Sequence, residues 1–240
     1  MRVVVSQSML FPWVGLLEQV RLADAFVHYD DVQFSKGSFV NRVQVKTAQG
    51  THWMTVPLHD LHLGQKIDEV QAKPISEWRG AHLDLLRQSF QDAPHAADAL
   101  QIADAVYSEA HQSLGALARA SLMALCRYFE LDRATRFLDV TELNIPGSSS
   151  DRVLTLVKSL GGCTYITGHG AARYLDHALF ETERIAVEYM DYRCRPYPQA
   201  FGPFTPYVTG LDLVARCGRA GIDYICSGSK PWREFLHEST

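Results

Sequence analysis

Residues 2–6 read Arg-Val-Val-Val-Ser, a β-branched run, and within about 30 residues a helical pattern and a second strand pattern follow. Phe11-Pro12-Trp13 breaks the first run. Val14, Leu17, Val20 and Leu22 then recur near helical spacing, Asp24 ends the helix, and residues 25–29 (Ala-Phe-Val-His-Tyr) read as a strand. Strand, helix, strand over so short a length is a βαβ unit, because parallel strands need a crossover rather than a tight turn. The chain is thereby committed to a parallel sheet with helices packed on it. Functional groups in such sheets gather at the carboxyl ends of strands. That rule points to Ser6, Gln7 and Ser8 after the first strand and to Asp30 and Asp31 after the second.

Residues 39–46 and 51–58 both alternate around Gly50 and read as a hairpin, and residues 66–73 supply an edge strand. From residue 76 to about 131 the chain is rich in Ala, Leu, Gln and Arg, with helices near 77–91, 95–106 and 108–129. No period recurs, so this is a helical insertion and not a repeat array. A strand at 135–140 precedes the polar loop Pro146–Asp151 and a helix over 151–160 closed by Gly161 and Gly162. A strand at 164–167 leads through Gly168-His169-Gly170 into a helix over 171–176, and another strand follows at 185–191. A stretch rich in Pro and aromatics, 195–207, ends at a last amphipathic helix over 209–217. The expected architecture is α/β, a Rossmann-like parallel or mixed sheet with a β-hairpin and a helical insertion, in one domain spanning 1–240.

Composition removes several function classes. Hydrophobic residues are 47% and charged residues 21%, which excludes long disorder, collagen and a free-standing coiled coil. A net charge of −4 argues against a dedicated nucleic-acid binder. No run of about 18 apolar residues offers a membrane span. Cys126, Cys163, Cys194, Cys217 and Cys226 are odd in number and form no CxxC pair, which reads as reduced thiols in a cytoplasmic protein.

Several clusters carry chemistry. Asp30-Asp31 suits a general base, a metal or the grip of a hydroxyl or amine, or else simply ends a strand. Gln33, Lys36, Asn41 and Arg42 follow closely, and such a mix of amide and cationic groups suits a phosphate-bearing ligand. Ser148, Ser149 and Ser150 precede a helix and either bind an anion with Arg152 or cap the helix. Gly168 and Gly170 allow close approach of a phosphate, Arg173 lies in the following turn, and His169 is a candidate base. The alternative for this segment is a plain tight turn. Trp13, Phe34, Trp53, Tyr174 and Tyr197 are candidates to line a pocket or to fill the core. His59 and His62 have HxxH spacing, but no partner completes a zinc pattern, and no metal is expected.

The opening segment resembles the WbqC-like protein family. The resemblance rests on Gln7, Phe11-Pro12-Trp13, Gly15, Asp24, Asp30-Asp31-Val32-Gln33-Phe34, Lys36 and Asn41-Arg42. It continues in the Trp-x-x-x-Pro strand at Trp53, in the stretch from Ser148 to Leu175, and in Tyr197-Pro198-Gln199. The family resembles products of surface-polysaccharide gene clusters, where nucleotide-linked amino sugars receive acyl or aminoacyl groups, and of natural-product pathways. The resemblance implies an acyl or aminoacyl transferase that joins an activated thioester to a primary amine without a cofactor. Its partners would be a small-molecule substrate and a carrier protein bearing a phosphopantetheine thioester. On that reading Asp30, Asp31 or His169 handles the amine proton. Gln7 and Asn41 polarise the carbonyl. Lys36, Arg42, Arg152 and the serine turn hold phosphates, while Gln199 and Tyr174 complete the binding set. Two alternatives stand beside it: a non-catalytic sugar-nucleotide or carrier-protein binding module, and a glycosyltransferase holding a divalent cation on Asp30-Asp31.

Overall fold

The computed structural model describes residues 1–238, and residues 239 and 240 of the expected 1–240 domain lie outside the described residues. Strands β1 (Arg2–Ser6) and β2 (Ala25–His28) pair in parallel, Val3 opposite Ala25 and Ser6 opposite His28, and helix α1 (Val14–Leu22) makes the crossover. Strands β3 (Arg42–Thr47) and β4 (Gly50–Thr55) form the expected hairpin, with Gly50 at φ +111° where a side chain would be strained. The edge strand expected at 66–73 shrinks to β6 (Gln71–Ala72), paired with β5 (Leu58–His59) apart from the main sheet. The reason is local: Glu69 N–H and Val70 N–H both turn back to the Lys66 carbonyl, which uses up the strand's backbone donors.

The helical segment forms α2 (Arg79–Ser89), α3 (Ala96–Ser108) and α4 (Leu114–Tyr128). Then come β7 (Arg136–Asp139), α5 (Val140–Leu143), α6 (Ser149–Ser159), β8 (Thr164–Thr167), α7 (His177–Thr182) and β9 (Ala186–Met190). The chain finishes with α8 (Gly210–Cys217), β10 (Ser229–Pro231) and α9 (Trp232–Glu238). Two expectations fail here. After Gly168 the chain makes a 3-10 turn over His169–Arg173 rather than an α-helix over 171–176. Its bonds run from Ala171 N–H to Gly168 O and from Tyr174 N–H to Ala171 O, and Asp176 is drawn off to cap α7 at Leu179 N–H. Nor is α8 the last helix. The three-residue β10, ending in a proline that an edge strand tolerates, was too short to leave a period in the sequence, and α9 follows it directly.

The main sheet runs β10-β9-β8-β1-β2-β7, with β10 antiparallel and the others parallel. The fold is therefore mixed α/β with a six-stranded, mostly parallel sheet. The chain steps outward from β1 to β2 and β7, then returns to lay β8 against the free side of β1. The strand order reverses between β1 and β8, and the crossovers leave a crevice there.

Both faces of the sheet are covered, which is why Val3, Val4 and Val5 are all apolar instead of alternating. Val4, Phe26 and Ile166 pack with Leu17 of α1, Leu86 of α2, Leu122 of α4 and Leu213 of α8. The helices of the 79–128 segment thus share one core with the sheet. Val3, Val5 and Val27 face the other way onto Leu156 and Val157 of α6 and Phe180 of α7.

Candidate functional site

A cavity of about 1170 Å³ opens at the carboxyl ends of β1 and β8, where the strand order reverses. Ser6 and Gln7 reach it from β1, and Thr167, Gly168, His169 and Gly170 from β8. Gly147, Ser148 and Ser149 bring the N-terminus of α6 to its wall, with Arg152 one turn on. Tyr29, Asp31 and Gln33 come from the segment after β2, and Tyr174 from the 3-10 turn. The irregular strap between β9 and α8 adds Tyr192, Cys194 and Tyr207.

Trp13 owes its place to two glycines. Gly210 N–H donates to Pro12 O at 2.7 Å, and a Cβ at Gly210 would lie 2.8 Å from that oxygen. A Cβ at Gly15 would lie 2.1 Å from the Trp13 ring, so the indole lies flat on α1 only because position 15 has no side chain. The Trp-x-Gly spacing is the local reason that an indole faces the cavity.

His169 donates Nε2–H to Met190 O at 2.7 Å. In the neutral ring this bond puts the proton on Nε2 and leaves Nδ1 with its lone pair. The ring is held between Tyr192 and Phe235, at 5.0 and 4.7 Å between centroids.

The charged pair expected to work on substrate is spent on itself. Arg152 forks onto Asp31, Nη1 to Oδ1 at 2.8 Å and Nη2 to Oδ2 at 2.5 Å, while its Nε donates to Ile145 O. The guanidinium also sits 5.0 Å from the centre of the Tyr29 ring. Both oxygens of Asp31 are engaged, so Asp31 is not a free base, and Arg152 is not a free phosphate ligand. The serine turn also departs from expectation. Ser148 occupies the N-cap position but its hydroxyl makes no cap bond, and Ser150 Oγ accepts Asp176 N–H at 2.9 Å. The first-turn donors of α6 are thus left facing the cavity without a side-chain cap.

Asp30 lies off the cavity and is 1% exposed. It accepts Ser8 N–H at 2.8 Å, the Ser8 hydroxyl at 2.7 Å and Arg119 Nη2 at 3.2 Å. Burial pushes its carboxyl above the ordinary range, against the pull of Ser8 and Arg119. It closes the polar end of β2 and takes no part in the cavity lining. Asp30 and Asp31 turn to different partners, so they do not converge on one cation. Among the described residues no three His, Cys, Asp or Glu side chains converge as metal ligands. His59 and His62 instead meet Asp60, through its carboxylate and its carbonyl.

Five other candidates stand outside the cavity. Asn41 Nδ2 donates to Val56 O at 3.1 Å and secures the hairpin. Arg42 stacks over Trp53, 4.1 Å from the ring centre, and Lys36 and Arg173 are exposed. Gln199 bonds Tyr197, Thr205 and Lys46 and shapes the strap from within. Among the aromatic candidates, Phe34 is core, Trp53 lies on the hairpin, and the Tyr197 hydroxyl donates to Asp212 at 2.9 Å. Trp13 and Tyr174 do line the cavity.

Sequence reasoning missed Gln19, Tyr192, Tyr207 and Glu18. The first three line the cavity. Glu18 stands behind the strap, fully buried, and accepts Arg193 N–H at 3.0 Å and Cys194 N–H at 3.1 Å. A carboxylate in a helix buried from Val14 through Val20 was the available signal. Burial pushes its pKa up to about 7, against the two backbone donors. The unfolded chain releases this proton near 4.5, so between about pH 4.5 and 7 the folded state binds more protons. Stability is therefore expected to fall as pH rises through that window, by roughly 3 kcal/mol. Denaturant titration across the window should show that slope in the native protein and a flatter one in Glu18→Gln; equal slopes would remove Glu18 as the cause.

Fold and cavity define an α/β protein with a crevice at the reversal point of a mostly parallel sheet. The chain belongs to the WbqC-like protein family, whose model matches residues 7–224. A protein of Mycobacterium tuberculosis (strain ATCC 25618 / H37Rv), described as uncharacterized protein Rv1507c, is 31% identical over 227 residues, covering 93% of this chain and 97% of its own. No solved structure matches the chain. Among the described residues no helix is long and apolar enough to cross a membrane.

Proposed function

We propose that this protein is an acyl or aminoacyl transferase that forms an amide between a thioester donor and a primary amine. The observation that carries the reading is His169, which lines a cavity otherwise rich in aromatic and amide groups and whose Nε2 bond to Met190 O leaves Nδ1 with its lone pair. The amine nitrogen attacks the thioester carbonyl, forming a C–N bond as the C–S bond breaks. His169 Nδ1 takes the amine proton and returns it to the departing thiolate, giving amide and thiol. Gln7 and the N–H groups near Gly168 stabilise the oxyanion. The uncapped first turn of α6, with the Ser148 and Ser149 hydroxyls, receives a phosphate of the nucleotide or of the phosphopantetheine arm.

The strand order supports a Rossmann-like reading of the sheet, with ligand at the β1–β8 reversal. A nucleotide-linked amino sugar as acceptor and a carrier-bound thioester as donor would put the reaction in cytoplasmic surface-polysaccharide or natural-product biosynthesis. The test is mass spectrometry of nucleotide-linked amino sugars incubated with acyl-CoA or carrier thioesters. Native protein should add the acyl mass, and His169→Ala should slow turnover by about 10²–10⁴-fold. No acyl product from any pair, or full turnover by His169→Ala, would overturn the assignment.

A further inference from the structure

One end of the cavity is walled by aromatic rings. Trp13 meets Tyr192 at 5.0 Å and Tyr207 at 5.6 Å between centroids, with the ring planes tilted by 51° and 46°. Tyr207 lines the cavity yet is 53% exposed, so much of its ring is open to a ligand.

Besides the tyrosine hydroxyls, two polar side chains at this end offer acceptors. His169, tilted against the Tyr192 ring, offers Nδ1 because Nε2–H is given to Met190. Gln19 is 4% exposed and lines the cavity. Its Nε2 points at Ile166 O, 3.5 Å away, and its Oε1 receives no donor from the described residues. That oxygen is not among the fully enclosed polar atoms that lack a partner, so it is an acceptor within reach of the cavity.

The charge balance points the same way. Glu18 is fully buried behind the strap and outside the cavity lining, and with its pKa pushed up to about 7 it carries only part of a charge near neutrality. It receives two backbone N–H groups, while the Arg193 guanidinium pairs with Asp191 at 2.9 Å. Arg152, in the cavity wall, is neutralised by Asp31. Aromatic faces and open acceptors, in a wall whose guanidinium is already neutralised, together favour a cation that carries N–H groups.

We propose that the Trp13–Tyr192–Tyr207 end of the cavity, with Gln19 Oε1 and His169 Nδ1, is a binding site for a protonated primary amine. This rests on the transfer reading only in identifying that amine as the acceptor's. The ammonium N–H groups go to Gln19 Oε1 and His169 Nδ1, and its charge lies against the ring faces. His169 is then in place to take the ammonium proton, which frees the nitrogen to attack; being exposed, it releases that proton to solvent before it takes the second one and returns it to the departing thiolate.

The probe is butylammonium, compared with butanol, which has similar bulk without the charge, by ligand-observed NMR on the full chain. Saturable binding of butylammonium is expected, about tenfold tighter than butanol. Gln19→Leu and Tyr207→Leu should each weaken it several-fold, and Tyr207 is exposed enough for its variant to fold. Equal binding of the two probes, no binding of butylammonium, or binding unchanged in both variants would overturn the site. Selective binding without acyl transfer to any amine would retain the ammonium site and remove the transferase reading.

Discussion

Arg119→Ala is expected to destabilise the protein by about 3–5 kcal/mol, the loss typical when one partner of a buried ion pair is removed. Arg119 reaches from α4 to Asp30 Oδ2 at 3.2 Å and also bonds Asp139 Oδ2. It therefore ties the helical segment to the carboxyl ends of β2 and β7 at once. Without it, Asp30 keeps only the Ser8 donors and must be buried protonated or unpaired. The double variant Arg119→Ala with Asp30→Asn removes the stranded carboxylate and should recover part of the loss. Equilibrium denaturation of the two single variants and the double variant checks this, and a loss below about 1 kcal/mol would assign Arg119 a surface-like role.

Acid should destabilise the same region through His28. This ring is 2% exposed, stacks with Phe137 and meets Ser8 Oγ at 2.9 Å through Nδ1. Ser8 gives its one hydroxyl proton to Asp30, so the network puts the imidazole proton on Nδ1. Burial, and then the Arg119 charge, holds the His28 pKa down to about 3, against 6.5 in the unfolded chain. Between those values the unfolded state binds more protons. Stability is thus lost as pH falls from about 6.5 toward 3, by roughly 4–5 kcal/mol over the full window. Asp30, whose carboxyl is raised by burial, acts in the opposite sense near the acid end. His28→Asn keeps an amide donor toward Ser8 and cannot take up the proton. Its acid limb should be flatter than the native one, and a limb of equal steepness would place the acid sensitivity elsewhere.

The two predictions together describe one structural unit: His28, Ser8, Asp30, Arg119 and Asp139 form a buried polar seam across the ends of β1, β2 and β7. The position of Asp30 after a parallel strand was legible as a place for polar function. Its neighbour Asp31 does line the cavity, while Asp30 turns inward. Both residues lie past the end of β2, Asp31 in a bend, and one residue of the pair meets the cavity and Arg152 while the other meets Arg119 of α4. Charge and spacing in the sequence do not tell which.

Most strands and helices of the main sheet followed from local pattern, because a β-branched run, a 3.6-residue period and a capping glycine act over a few residues, whereas the short β6 and β10, the 3-10 turn at His169–Arg173 and α9 did not. Trp13 with Gly15 belongs to the same kind of information: the ring rests on its own helix. The meeting of Asp31 with Arg152, 121 positions apart, and of Glu18 with the backbone of Arg193 and Cys194 is of another kind. Those contacts exist because β8 returns to pair with β1 and folds the later half of the chain over α1. That return is a property of the sheet as a whole. It turns an expected phosphate ligand and an expected base into partners, and it leaves Gln19, His169, Trp13, Tyr192 and Tyr207 among the residues that line the cavity.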